Sequence, residues 1–215
     1  MTERIKYPRT FHLPSSAGRS SDDKVLQSTD HFVGKDVVIT TKMDGENTTL
    51  YRDGFHARSI DGRSHPSRDW LARFHATIAH EIPDGWRVCG ENVYARHSIA
   101  YDDLPSYFLG FSVWNEDNVC LSWDETLQWF DLLGITSVDH PLGYMYRGLY
   151  SQSYVDRLPN RLNLETTEGF VVRLADSFAY ADFSKSVAKW VRAGHVQTDT
   201  RWKHSAIVPN GLEDC

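Results

Sequence analysis

Between residues 36 and 60 the chain reads DVVITTKMDGENTTLYRDGFHARSI, and this stretch limits its fold more than any other. Val37, Val38, Ile39, Thr40 and Thr41 form an unbroken β-branched run. Such side chains lose freedom in a helix and pack well on a pleated sheet. Asp44-Gly45 and Asp53-Gly54 are tight-turn signals. Thr48 to Arg52 resumes a strand between them, and Phe55 to Ile60 follows the second turn. The segment predicts a strand–turn–strand–turn–strand meander.

The rest of the chain alternates both kinds of element. Ser15 to Asp23, SSAGRSSDD, reads as a loop. Trp70, Leu71, Phe74 and Ile78 recur at helical spacing, so Ser67 to Ile82 is expected to be a helix. Ser122 to Leu133 is a second, opened by a Ser122-x-x-Glu125 capping box and closed by Gly134. A third is expected around Ser151 to Leu158. Further strands are expected over Trp86 to Tyr94, Tyr107 to Trp114, Glu168 to Leu174 and Ser186 to Arg192. Strands at both ends with helices between them imply an α+β class, with antiparallel sheets packed together and flanked by helices. The tail after His195 carries no clear signal.

Composition excludes several classes. With 215 residues, 40% hydrophobic and 27 of them aromatic, the chain is not disordered and can bury one sizeable core. It is expected to be a single domain over 1–215, with 193–215 as a tail of uncertain structure. No apolar run approaches the ~18–20 residues of a membrane span, and MTERIKYPRT has no apolar signal core; a cytoplasmic protein with no membrane partner is expected. Cys89, Cys120 and Cys215 are odd in number and far apart, which excludes a disulfide scaffold or a CxxC zinc site. His75 and His80 are five apart and no HExxH is present, nor a glycine-rich phosphate loop. Asp102-Asp103 reads as loop acids. A net charge of −6 argues against a non-specific nucleic-acid coat. From Lys185 to Lys203, however, five basic residues (Lys185, Lys189, Arg192, Arg201, Lys203) face one acid, Asp199.

Lysines are scarce, seven of the 23 basic residues. Lys42 stands out because it ends the β-branched run and opens KMDG. An ordinary lysine, with pKa ~10.4, is neutral in roughly one molecule in 2,500 at pH 7. Burial or a neighbouring cation lowers that pKa and makes an amine nucleophile. The alternative is a lysine snorkelling from a strand end.

The segments after Lys42 form an ordered set. KMDGEN (Lys42 to Asn47) resembles motif I of the covalent nucleotidyltransferases, the ATP-dependent polynucleotide ligases and mRNA capping enzymes. Arg58-Ser59 lies one hairpin later, as the motif Ia arginine does. Gly90-Glu91 in RVCGENVY looks like the Gly-Glu element of RNA ligases. YFLGFSVW resembles their motif III strand, with Phe111 at the place of the purine-stacking aromatic. EGFVVR (Glu168 to Arg173) looks like motif IV, and SVAKWVR (Ser186 to Arg192) like motif V. Among branches, the resemblance is greatest to RNA ligases of the RNA ligase 2 type.

The resemblance implies an adenylyltransferase domain of the ATP-grasp-like ligase kind, without an OB-fold appendage. It implies that Lys42 attacks the ATP α-phosphate to give lysyl-AMP. Lys189 would bind that phosphate and, as a second cation, depress the Lys42 pKa. Glu168 would orient magnesium or manganese. Asp44 is either a turn residue or a partner of nucleotide or metal, and Gly45 permits the close turn. Arg58 would hold a phosphate or else a hairpin ion pair. Glu91 would accept hydrogen bonds from ribose hydroxyls. Phe111 would stack on adenine or belong to the core. One departure stands out: motif V of RNA ligases usually carries Lys-x-Lys, whereas Val191 occupies the second position and Arg192 follows on the opposite strand face. Either a local twist brings Arg192 to the phosphates or the second cation comes from elsewhere.

The implied activity is ATP-dependent RNA ligation: transfer of AMP to a 5′-phosphate RNA end, then sealing to a 3′-hydroxyl. Alternatives on the same fold are a DNA ligase or a guanylyltransferase; a third is a nucleotide- or RNA-end-binding protein without chemistry. Implied partners are RNA ends or a nicked RNA duplex, met by the basic run near Lys185 to Lys203. The short stretch after Arg192 implies weak nick binding, or an accessory protein or domain that supplies the grip.

Overall fold

A computed structural model of the protein describes residues 2–60, 65–139, 146–194 and 207–213. Their elements run β1 (Phe11–His12), β2 (Asp36–Lys42), β3 (Glu46–Tyr51), β4 (Gly54–Ala57), α1 (Asp69–Ile78), β5 (Arg87–Asn92), β6 (Phe108–Trp114), β7 (Val119–Cys120) and α2 (Trp123–Leu133). There follow β8 (Thr136–Ser137), β9 (Tyr146–Leu149), α3 (Gln152–Arg157), β10 (Gly169–Leu174), β11 (Phe178–Ala179), α4 (Phe183–Ser186) and β12 (Val187–Val191). No helix is long and apolar enough to cross a membrane among the described residues.

Two sheets result. One has the order β1-β12-β10-β2-β9, the other β11-β7-β6-β5-β3-β4 with β8 on the flank of β6. Pairing is antiparallel except at β1–β12 and β6–β8. The α+β class follows the sequence, but the meander does not. β2 lies in the first sheet, whereas β3 and β4 form a hairpin in the second. KMDG is therefore a corner between sheets. The cause is that Met43 and Asp44 are carried inward, both about 95% buried. Gly45 also passes so close to β5 that a Cβ would lie 2.6 Å from the Asn92 carbonyl oxygen. A hairpin turn would leave all three at the surface.

The helices are shorter than their sequence signals. Single 3-10 turns, Pro66–Arg68 and Ala79–Glu81, flank α1. Its Leu71 and Ile78 pack with Leu50, Val88, Phe108 and Phe130 under the second sheet. A fully buried leucine of this kind contributes about 1.5–3 kcal/mol, and Leu71→Ala would cost about 2–5 kcal/mol with its cavity. The capping box of α2 is formed in both directions: Ser122 Oγ accepts from Glu125 N–H, and Glu125 accepts from Ser122 N–H. Gly134 ends α2 at φ 63°. The first sheet buries Val37, Ile39, Phe170, Val172 and Trp190 in a cluster with Val155 and Leu158. A third cluster, Val38, Met43, Val93, Leu109, Trp123 and Val138, joins the sheets at the KMDG corner.

Candidate active site

Register decides which side chains share a face. Lys42 pairs with Gly169, Thr40 with Val171, and Val171 with Lys189. Alternation then puts Lys42, Val171 and Lys189 on one side of the sheet. Glu168, one residue ahead of β10, brings Oε2 2.5 Å from Lys42 Nζ. The Lys42 side chain is 22% exposed and that of Glu168 is 3% exposed. β10 and β12 approach so closely there that a Cβ on Gly169 would fall 1.9 Å from the Trp190 carbonyl oxygen. Lys42 thus faces a sheltered cleft with both glutamates and Lys189 in electrostatic reach.

The charges are distributed differently from the sequence expectation. Burial alone would lower the Lys42 pKa, but Glu168, Glu91 and Asp44 outweigh it, and the ammonium is held above its ordinary range. The depressed cation is Lys189, brought down to about 8 by burial, then by Lys42 and Arg58, with Asp23 and Glu168 opposing. The expectation of a depressed Lys42 is corrected: the repulsion between Lys42 and Lys189 lowers both, but Glu168, Glu91 and Asp44 outweigh it at Lys42. Glu91, opposite Asn47 and Leu109 in the second sheet, is pushed up to about 8, chiefly by burial and then by Glu168 and Asp44. Lys42 and the Gly45 N–H pull it back.

The Asp44 carboxylate is engaged by the loop after β5. Its Oδ2 accepts from Ser98 N–H (2.8 Å), Ser98 Oγ (2.6 Å) and Ile99 N–H (3.0 Å), and its own N–H donates to the Tyr101 hydroxyl (2.9 Å). Asp44 fixes the corner to the loop after β5. Asn210 holds that loop in turn, accepting from Tyr101 N–H and donating to the Val93 carbonyl. Ser98, Tyr101 and Asn210 carry no motif, and no signal in the sequence identifies them.

Phe111 sits in a β-bulge. Cys89 pairs with Ser112 but Gly90 pairs with Gly110, leaving Phe111 unopposed. Bulges re-aim a side chain, and Phe111 is the partly exposed residue of an otherwise buried strand. Tyr7 meets its ring edge-on at 5.2 Å. Arg173, buried on β10, donates to the carbonyls of Phe111 (3.1 Å) and Leu121 (2.9 Å). It thereby bridges the sheets across the cleft, a role its place at the end of EGFVVR does not reveal.

Two further candidates sit apart from the Lys42–Glu168 pair. Arg58 is exposed, tied by its N–H to the Asn47 carbonyl, and reaches Lys189 through its charge. Arg192 follows β12; alternation turns its side chain from the Lys189 face, while its N–H donates to the Glu168 carbonyl (3.0 Å). The pairing runs regularly to Val191 opposite Gly169, so β12 itself has no irregularity ahead of Arg192. Of the basic run, Lys185 is exposed and Lys189 lines the cleft, while Arg201, Lys203 and Asp199 lie outside the described residues, as does Cys215.

No three His, Cys, Asp or Glu side chains converge as a metal cage among the described residues. The acids nearest Lys42 are Glu168, Glu91 and Asp44. Carboxylates are hard oxygen donors of the kind magnesium takes. With Asp44 Oδ2 already accepting three hydrogen bonds, the set suits an ion that keeps water and phosphate ligands.

A family model for RNA ligase matches residues 35–191. Among solved structures, an archaeal ATP-dependent RNA ligase in its form 1 aligns with TM-score 0.59 and 17% identity, covering 87% of this chain and 48% of its own. The Naegleria gruberi RNA ligase with PPi aligns with TM-score 0.55 and 15% identity, covering 89% of this chain and 59% of its own. A mutant of that ligase with ATP and Mn aligns with TM-score 0.50 and 13% identity, covering 88% and 61%. The chain thus spans about half to three fifths of the length of these structures. No curated protein gives a significant match.

Proposed function

The chain belongs to the RNA ligase family, and on that premise we propose that it is an ATP-dependent RNA ligase whose nucleophile is Lys42. The observation that carries this reading is the position of Lys42 Nζ. It lies at a rigid corner between two sheets, 2.5 Å from Glu168 and within reach of the charges of Glu91 and Lys189.

In the free protein Lys42 is an ammonium, so a proton must leave before attack. Glu168 Oε2 is the acceptor at hand. The amine then attacks the ATP α-phosphorus; the bond to the bridging oxygen breaks and pyrophosphate leaves. Lys189 neutralises charge on the α-phosphate oxygens and Arg58 holds phosphate at the mouth of the cleft. Alignment and fixed cations supply most of the rate in such transfers. Phe111 stacks on adenine, and Glu91 meets the ribose; as a neutral acid near neutral pH, it can donate as well as accept. An oxygen of the RNA 5′-phosphate next attacks the lysyl-AMP phosphorus, breaking the P–N bond and returning the amine. A 3′-hydroxyl then attacks the activated end, and AMP departs. A magnesium or manganese ion would be held through Glu168 or its waters and would supply charge neutralisation on the phosphates.

Asp44 serves as the anchor of the corner rather than as a metal ligand, and Arg192 stays outside the phosphate site. A polarization assay with a nicked duplex reads how tightly the chain alone grips its substrate. The central test is mass spectrometry of the chain with ATP or GTP and magnesium. Expected is a +AMP adduct with ATP, absent in a folded Lys42→Ala, followed by sealing of a 5′-phosphorylated RNA nick. A +GMP adduct, or none, overturns the reading.

A further inference from the structure

The family match begins at residue 35, yet the chain before it enters the cleft. Phe11 and His12 pair in parallel with Ala188 and Lys189, so the register sets His12 beside Lys189 on the face that carries Lys42. Several contacts fix this docking. Leu13 N–H donates to the Lys189 carbonyl, Gly18 N–H to that of Val191, and the Trp190 indole N–H to that of Ser15. A Cβ on Gly18 would lie 2.1 Å from the Arg192 carbonyl oxygen, so a side chain there would lift the segment off β12.

The same segment then folds back. His12 N–H donates to the Lys24 carbonyl and Leu26 N–H to that of His12. Ser20 N–H and Oγ each donate to Asp23 Oδ2 at 2.9 Å, leaving Oδ1 3.6 Å from His12 Nε2. His12 is wholly buried, and Asp23's side chain is 6% exposed. His12 Nδ1 lies 2.8 Å from Ser16 Oγ, which accepts from Val191 N–H at 2.9 Å. Nε2 is buried and faces the Asp23 carboxylate, just beyond ordinary hydrogen-bond distance, and a buried imidazole N–H needs such an acceptor to offset the cost of leaving water. A core position of equal size would be met more cheaply by leucine; the imidazole and the carboxylate instead lie at the one face where Lys189 needs aim.

We propose that His12 and Asp23 are a positioning pair for Lys189: the imidazole backs the lysine stem and holds Asp23, whose carboxylate directs the Lys189 ammonium toward the nucleotide phosphates. This rests on the reading of Lys42 as nucleophile and Lys189 as phosphate ligand. The groups facing Lys189 are Lys42 from β2, Glu168 ahead of β10, Arg58 after β4, and His12 with Asp23 from this segment. His12 is neutral near pH 7, held down to about 4 by burial and then by Lys189, so it adds a dipole and not a third cation. Asp23 and Glu168 are the two groups that favour the charged lysine.

The test is the rate of lysyl-AMP formation across pH in wild type, Asp23→Asn, His12→Ala and His12→Gln, with thermal melting as the check on folding. Asp23→Asn is expected to slow the reaction roughly ten- to a hundredfold at saturating ATP, as loss of alignment does. Its alkaline break should move to lower pH, because Lys189 loses one of the two charges that keep it protonated. His12→Gln, whose amide can stand near Nε2, should recover part of the rate lost in His12→Ala. A folded Asp23→Asn with wild-type rate, or with a slower rate and an unmoved alkaline break, overturns the positioning role. If wild type itself forms no adduct, the underlying reading fails and takes this role with it; if wild type reacts and the variants match it, the positioning role alone fails.

Discussion

Lys42 Nζ and Glu168 Oε2 are 2.5 Å apart although 126 residues separate them in the chain. The contact is a product of register: β10 pairs residue for residue with β2 from Leu174 opposite Val37 to Gly169 opposite Lys42. A slip of one residue would send Lys42 to the far face. Glu168 is therefore the counter-ion of the resting ammonium, and on the proposed reading also the acceptor of its proton. Glu168→Gln is expected to lower adduct formation on the order of a hundredfold, the scale of losing one preorganised group. It should also shift the rising limb of the pH profile to lower pH, since the charge that does most to hold Lys42 protonated is gone. A rising limb that stays in place would mean that Glu168 does not govern the nucleophile.

Glu91 makes the stability of the free protein depend on pH. Its carboxyl titrates at about 8 in the folded chain against an ordinary 4.5, first because it is buried. Between those values the unfolded chain has lost the proton and the folded one keeps it. Stability should then fall as pH rises from about 4.5 to about 8 and level off above. Glu91→Gln removes this slope. Melting curves should show the variant gaining on wild type across that window, by about 2–4 °C for each kcal/mol relieved, while it binds ATP more weakly. Parallel curves for the two proteins would refute the assignment.

The elements that could be read from the sequence were those with strong local patterns. The Val37–Thr41 run, the α2 capping box and the apolar strand containing Phe111 all form where their residues require. The path between elements is not local. Asp44-Gly45 looks like a hairpin turn, and what makes it a corner is a carboxylate bound by Ser98 and Ile99, more than fifty residues on. Lys42, Glu168 and Lys189 could be singled out because each stands in a recognisable motif. The balance of charge between them could not, because it depends on how many carboxylates the two sheets bring within reach of one ammonium. Asp23 ends the Ser15 to Asp23 stretch that reads as a loop and His12 stands before it without a local pattern; pairing with β12 gives His12 its place.

Phe111 owes its exposure to the bulge between Cys89 and Gly90. If its ring stacks on adenine, Phe111→Ala should raise the ATP concentration for half-maximal adduct formation by an amount equivalent to about 1–3 kcal/mol. The limiting rate should change little, since the ring makes no contact with the reacting phosphorus. Phe111→Tyr keeps the stacking face and should behave like wild type. A loss confined to the limiting rate would place Phe111 in the core alone.

Asn210 tests how far the KMDG corner depends on distant support. It is 3% exposed, and truncation to alanine leaves Tyr101 N–H and the Val93 carbonyl unpaired. Each buried orphan costs about 1–3 kcal/mol. Asn210→Ala should therefore melt several degrees lower, at about 2–4 °C per kcal/mol. Well below that melting point, adduct formation should still be slower than wild type, because the loop bearing Ser98 and Tyr101 no longer pins Asp44. Asn210→Asp keeps the acceptor for Tyr101 and loses the donor to Val93, so it should fall between the two. Full activity in a folded Asn210→Ala would show that the corner holds without the loop.

Lys189 is the cation most sensitive to pH. Burial and the charge of Lys42 bring it down to about 8, so above that value a growing share of the free protein lacks the charge meant for the α-phosphate. The second-order rate constant for adduct formation at low ATP reports groups of the free enzyme. Above about 8 each gain in neutral Lys42 is offset by loss of charged Lys189, so it should stop rising and level off there. Lys189→Arg separates charge from shape. A guanidinium stays protonated beyond pH ~12, so the variant's profile should go on rising past about pH 8. Its maximum should nonetheless be lower, because a planar fork replaces a compact ammonium between Val171 and the His12 side of the sheet. Should the break near pH 8 persist in Lys189→Arg, another group controls it, and the assignment of Lys189 as the phosphate-binding cation must be given up.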